Sequence, residues 1–160
     1  HALFMSDINY DSIDQIVQTT RRHKREDRLR WDIFKIPHHC SYLSIGPEKG
    51  EDETKPTPDV KWLYEAQGQP RCTMMSTSKS IPVKGSAEDK DVQPPHREAA
   101  NYYKRVANMK DGAFKVTMDL PSSSKPKPST IEITERGATL LSVSATVGAA
   151  SVISTPARAG

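Results

Sequence analysis

Cysteine is scarce: Cys40 and Cys72 are the only two in 160 residues. Two are too few for a disulfide framework, so a reducing compartment is expected. Aromatic residues number ten and apolar residues make up 35%, below the roughly 45–50% of a typical compact domain. The core is therefore modest, or shared with something else. No apolar run approaches the ~20 residues of a membrane helix, so no membrane span is expected in this chain. No basic stretch followed by an apolar one opens it, so no secretory leader is expected, and the expected location is cytoplasmic. Neither sign of charge dominates: 23 Lys and Arg stand against 20 Asp and Glu, a net +3. That balance does not by itself imply nucleic acid.

What is present points to one domain of α/β type. The length suits a single domain. Residues 2–5 read as a strand, ended by Ser6-Asp7. Ser12 with Gln15 resembles a capping box, and Ile13, Ile16, Val17 and Thr20 recur at helical spacing, predicting a helix over 12–28. Its end carries Arg21, Arg22, Lys24, Arg25, Arg28 and Arg30, broken by Glu26 and Asp27. Such a cluster is either a solvated face that suits the helix C-terminus or a phosphate attractor. Trp31 to Ile36 alternates and predicts a strand that Pro37 ends.

Residues 44–58 read as a loop with an acidic stretch from Glu48 to Glu53. A short helix opens at Thr57-Pro58, turns Val60, Leu63 and Tyr64 inward and stops at Gly68. Arg71 to Thr77 reads as a strand, 78–94 as a polar loop, and Pro95 to Asn108 as a helix. A strand over 113–120, a Ser/Lys/Pro linker over 121–129 and a hairpin of 130–134 with 138–146, turning at Arg136-Gly137, follow. Residues 147–160 form a tail. The order is strand, helix, strand, helix, strand, helix and then a meander of three strands. Asp7 and His38-His39 fall at the carboxyl ends of two strands, where catalytic groups gather in such sheets. Carboxylate with imidazole suits zinc or manganese. The plain alternative is a helix-capping Asp7 and two loop histidines.

The residues Leu3-Phe4-Met5-Ser6-Asp7-Ile8, then a helix, then Asp32-Ile33-Phe34-Lys35-Ile36-Pro37-His38-His39-Cys40-Ser41 resemble the metallo-β-lactamase-fold hydrolases. The likeness is to the branch containing the hydrolase domain of the bacterial DNA-uptake competence channel. That branch reads Gly-Asp at the strand end and His-His-Gly-Ser later; here Ser6 and Cys40 stand in place of the two glycines. The resemblance implies an αββα four-layer sandwich, of which residues 1–146 supply about the C-terminal half. It also implies two divalent metal ions, zinc or manganese. Asp7 would bridge them. His39 would be a ligand, and His38 either its neighbour or the ligand itself. His96 would reach over the site and contact or protonate a phosphate oxygen. Ser41, Ser78, Arg22 and Arg25 would meet substrate. The plain alternatives are an exposed first-turn residue for His96 and a small buried hydrophobe for Cys40.

The family's principal motif, His-x-His-x-Asp-His, does not occur in these 160 residues. The expected partner is therefore the N-terminal half of the same domain, from the same protein or a separate chain. A chain that opens in mid-strand at His1 is expected to be a fragment, a processed product or a split subunit. Alone it is expected to leave a sheet face uncovered and to fold or dissolve poorly. The function expected is metal-dependent phosphodiester hydrolysis, by a nuclease acting on DNA or RNA. Two alternatives stand beside it: hydrolysis of a small ester or phosphodiester, and an inactive interaction module using Glu48–Glu53 and the 121–129 linker to meet a further protein.

Overall fold

The computed structural model describes residues 1–134 and 137–141. The turn residue Arg136, the end of the last predicted strand and the 147–160 tail lie outside them. Four strands form one parallel sheet: β1 (Ala2–Phe4), β2 (Trp31–Ile36), β3 (Gly68–Ser76) and β4 (Ala113–Val116), in the order β1-β2-β3-β4. The crossovers carry α1 (Tyr10–Arg22), α2 (Pro58–Lys61, continued as a π turn over Trp62–Ala66) and α3 (Arg97–Asn108). Strands β5 (Thr130–Thr134) and β6 (Gly137–Leu141) form a separate antiparallel hairpin.

The strand order decides where the helices lie. Parallel crossovers are right-handed in nearly all sheets, and here the order runs in one direction without reversal. All three helices therefore fall on one face of the sheet. One core records this: Ile13 and Val17 of α1, Val60, Leu63 and Tyr64 of the second helix, and Tyr102, Tyr103 and Val106 of α3 pack with Phe34, Ile36 and Met74 of the sheet. Phe34 sits edge-on to both Trp31 and Tyr64, with centroids 5.1 Å apart in each case. The opposite sheet face is left to the hairpin. Ile33 and Met75 are buried there, while Phe4 remains exposed. The face expected to be bare is thus partly roofed, because the last two strands fold back over it.

Helix α1 departs from the predicted 12–28. Its N-cap is Asn9, without a side-chain bond, and Ser12 takes no part in a capping box; its N–H donates to Asp11 Oδ1 at 2.9 Å. Lys24 adopts φ +53, which breaks the helix, and Glu26–Leu29 form a separate 3₁₀ turn. Leu29 explains the break. At 100° per residue it would point about 120° away from Val17 on a continuous helix; after the break it turns inward and is buried. Gly68 begins β3 rather than merely stopping the helix, and an added Cβ there would strike the Trp31 ring. Strand β3 bulges: Trp31 pairs with Gly68 but Ile33 with Thr73. Arg71 lies at φ +60 within the bulge. Strand β4 is shorter than predicted and joins the parallel sheet, since α3 is a crossover long enough to carry it there. The expected three-strand meander is therefore reduced to a two-strand hairpin.

No helix among the described residues is long and apolar enough to cross a membrane. The packing predicts a sharp contrast between two phenylalanines. Phe34→Ala lowers stability by about 3–5 kcal/mol in urea denaturation, whereas Phe4→Ala changes it by about 0.5 kcal/mol or less. Equal losses would contradict the placement of the core.

Candidate functional site

Parallel strands present their carboxyl ends at one edge, and β1 and β2 are neighbours there. Asp7 leaves the end of β1 and His39 the end of β2. His39 Nε2 lies 3.8 Å from Asp7 Oδ1, and both side chains are more than half exposed. That separation is too long for a hydrogen bond. The other ring nitrogen, Nδ1, is 2.7 Å from the Thr77 carbonyl oxygen just past β3. A carbonyl only accepts, so Nδ1 carries the proton. In the neutral ring Nε2 is then the unprotonated nitrogen, and it is the one that lies near the Asp7 carboxylate. This is the tautomer that a metal-binding imidazole uses, oriented as a carbonyl partner orients it.

The backbone that displays His39 is unusual. His38, His39 and Cys40 have φ of +50°, +53° and +69°. Their bonds, Cys40 N–H to Pro37 O at 3.2 Å and Ser41 N–H to His38 O at 3.0 Å, make a short left-handed turn. Non-glycine residues pay roughly 1–2 kcal/mol each for this conformation. The surroundings hold it. Cys40 is fully buried, and its carbonyl accepts the His96 N–H at 3.1 Å. The Tyr42 N–H donates to His96 Nδ1 at 3.3 Å, and His96 Nε2 is 3.2 Å from the Val92 carbonyl. Since Nδ1 accepts from Tyr42, the proton of His96 sits on Nε2. The Tyr42 ring stands edge-on to the imidazole, centroids 5.0 Å apart.

His96 is therefore not the exposed first-turn residue of the plain reading, nor does its buried ring reach over the site as the resemblance implied. It is buried at the N-cap of α3, with both ring nitrogens spent inside the chain. Burial holds its pKa below the usual imidazole range, against the opposing pull of the Val92 carbonyl. Its bonds to Cys40 and Tyr42 hold the turn from behind. Cys40 is fully buried, as its plain reading expects. Burial pushes its thiol up to about 12, and thiolate is the ligating form.

The remaining candidates divide. Ser78 and His39 share an open cleft of about 330 Å³, with Thr77, Lys79, Pro94 and Thr117 among its other walls. The Ser78 hydroxyl is bonded to Ser76 Oγ at 2.8 Å and to the Lys79 carbonyl at 2.9 Å. Ser41 is buried, and its hydroxyl accepts the Leu43 N–H at 3.3 Å, so it caps a turn instead of facing substrate. His38 turns partly inward, with Nδ1 buried and without a partner. Arg22 and Arg25 are far away. Helix α1 starts beside Asp7 and runs back, so its end lies at the opposite edge of the sheet, about 20 Å off for thirteen residues at 1.5 Å each. They do not belong to this site.

Two contributors escaped the sequence reading. Thr77 acts through its carbonyl, which no residue type announces. Lys79 is exposed at the cleft and stood within a stretch read only as polar loop. For metal binding, Asp7 and His39 offer an oxygen and a nitrogen of the right kinds. Among the described residues no group of three or more His, Cys, Asp or Glu side chains could hold an ion. Comparison with known proteins finds no match: no family model, no curated protein and no solved structure is similar to this chain.

The site yields a pH dependence. Unfolded His96 takes a proton near the usual 6.5, whereas folded His96 resists it to lower pH. The unfolded chain thus binds more protons in that window, and stability is lost as pH falls below about 6.5. Urea midpoints decline from pH 7.5 to 5.5, and His96→Gln flattens the decline. An equally steep decline in the variant would show that another group carries it.

Proposed function

We propose that this chain contributes Asp7 and His39 to the metal centre of a phosphodiester hydrolase, a nuclease acting on DNA or RNA. The observation that carries the reading is the His39 ring. Its Nδ1–H is held by the Thr77 carbonyl, and its free Nε2 faces the Asp7 carboxylate at 3.8 Å. Two donors of one ion, each about 2.0–2.2 Å from it, stand at a comparable separation. The ions would be two, zinc or manganese. The ligands still needed come from the N-terminal half of an αββα sandwich that bears His-x-His-x-Asp-His. When bound, such ions polarise the phosphoryl oxygens and make a water nucleophilic near neutral pH.

This chain's own residues do the rest of what can be assigned. Asp7 supplies negative charge that can face two cations at once through its two oxygens. Thr77 and the left-handed turn fix the direction of His39, so that little reorientation is needed on binding. Lys79 places a cation at the cleft, where an anionic substrate arrives. His96 keeps the turn in place from behind.

A second reading takes a small phosphodiester or ester instead. The cleft of about 330 Å³ is at the lower end of small-molecule pockets, which favours it. The interaction-module reading is weakened by the acidic stretch itself. Glu53 bonds Arg105 at 2.9 Å, and Arg97 meets Asp52 at 3.8 Å and the Glu51 carbonyl at 2.7 Å. Part of that stretch is engaged with α3, while Glu48, Glu51 and Asp52 keep exposed side chains.

Titration of the intact protein with zinc or manganese tests the proposal, read as bound metal and as oligonucleotide cleavage. Asp7→Asn and His39→Ala each weaken metal affinity and cleavage by about 100-fold or more, since loss of even a supporting residue costs 10–100-fold. A chelator abolishes cleavage. Unchanged metal binding in both variants would sink the metal centre. Intact metal binding with turnover confined to small esters would select the second reading.

A further inference from the structure

The cluster at the end of α1, removed from the metal-centre candidate, is the most asymmetric charge in the molecule. Between Arg21 and Arg30 six cations stand against two carboxylates, while the whole chain carries only +3. Arg21 is committed, bonding Asp59 at 3.3 Å and stacking over Trp62 at 5.1 Å. Arg22, Lys24, Arg25, Arg28 and Arg30 are exposed and have no ion-pair partner among the described residues. Thr19, Thr20, His23, Arg25 and Arg28 line an open hollow of about 400 Å³. The segment leads into β2.

We infer that this hollow is a second, non-catalytic binding site that takes the phosphate backbone of a nucleic acid, at the sheet edge opposite Asp7 and His39. Five of the six cations are arginines, whose planar fork matches phosphate oxygens two at a time. Threonine hydroxyls beside them add uncharged donors. The surface lacks what a protein partner needs. Tight protein interfaces are centred on buried aromatic or aliphatic anchors, and residues 19–30 expose no large apolar side chain. A polyphosphate needs none, because displaced counterions drive its binding. The claim stands apart from the hydrolase reading, since it concerns binding and not cleavage.

Fluorescence anisotropy of a labelled oligonucleotide with the full protein, in the presence of chelator, tests it over a range of salt. The double variant Arg25→Gln, Arg28→Gln binds about tenfold more weakly near 0.1 M salt, and its slope of log K against log salt falls by about two, one for each phosphate contact removed. Arg25→Lys with Arg28→Lys keeps the charge and retains the slope, which separates lost contacts from lost folding. Binding equal in the Gln variant and the parent protein overturns the site. So does displacement by polyglutamate as effective as by an oligonucleotide of equal charge, which would assign the surface to an acidic protein.

Discussion

The candidate site depends on one strained turn. Pro37 to Ser41 winds left-handed through three residues that each carry a Cβ, and the chain holds it there by bonding from behind. His96 does this twice, with its N–H on the Cys40 carbonyl and its Nδ1 under the Tyr42 N–H. The result is an alternation that an ordinary strand end would not produce: Cys40 is driven fully inside, while His39 is thrust outward. Strain of this kind persists only where the surroundings over-determine it. Here they comprise the N-terminus of α3, the Tyr42 ring and the aromatic core beneath.

That core has its own logic. A sheet whose order runs in a single direction receives all its helices on one side. Three helices and the aromatic rings of Trp31, Phe34, Tyr64, Tyr102 and Tyr103 therefore crowd one face. The loops that join them are anchored by arginine. Arg97 gathers Asp89 at 3.0 Å and Glu98 at 2.8 Å, and Arg105 gathers Glu53 and Glu65. Both arginines stand on α3, so the helix that pins the strained turn also pins the long loops between β2 and α3. The chemistry at the strand ends and the order of the loops thus rest on the same element.

The charge distribution separates two regions that look continuous in the sequence. Arg22 and Arg25 follow Asp7 by fewer than twenty residues, yet α1 carries them to the far edge of the sheet. The strand-end site keeps a carboxylate, an imidazole and Lys79; the far edge keeps the arginines.

Periodicity along the chain was enough to find β2 at Trp31–Ile36, the inward Val60, Leu63 and Tyr64, and the neighbouring of Asp7 and His39 at one edge. These follow from alternation, from helical spacing and from the rule that parallel strands end together, all of which are local. The burial of His96, the left-handed run at His38 to Cys40, the Thr77 carbonyl behind His39 and the remoteness of Arg22 and Arg25 were decided only by the tertiary structure. Each depends on a partner distant along the chain. Burial, ring tautomer and sheet edge belong to the space a residue shares with its neighbours, and no single segment contains that information.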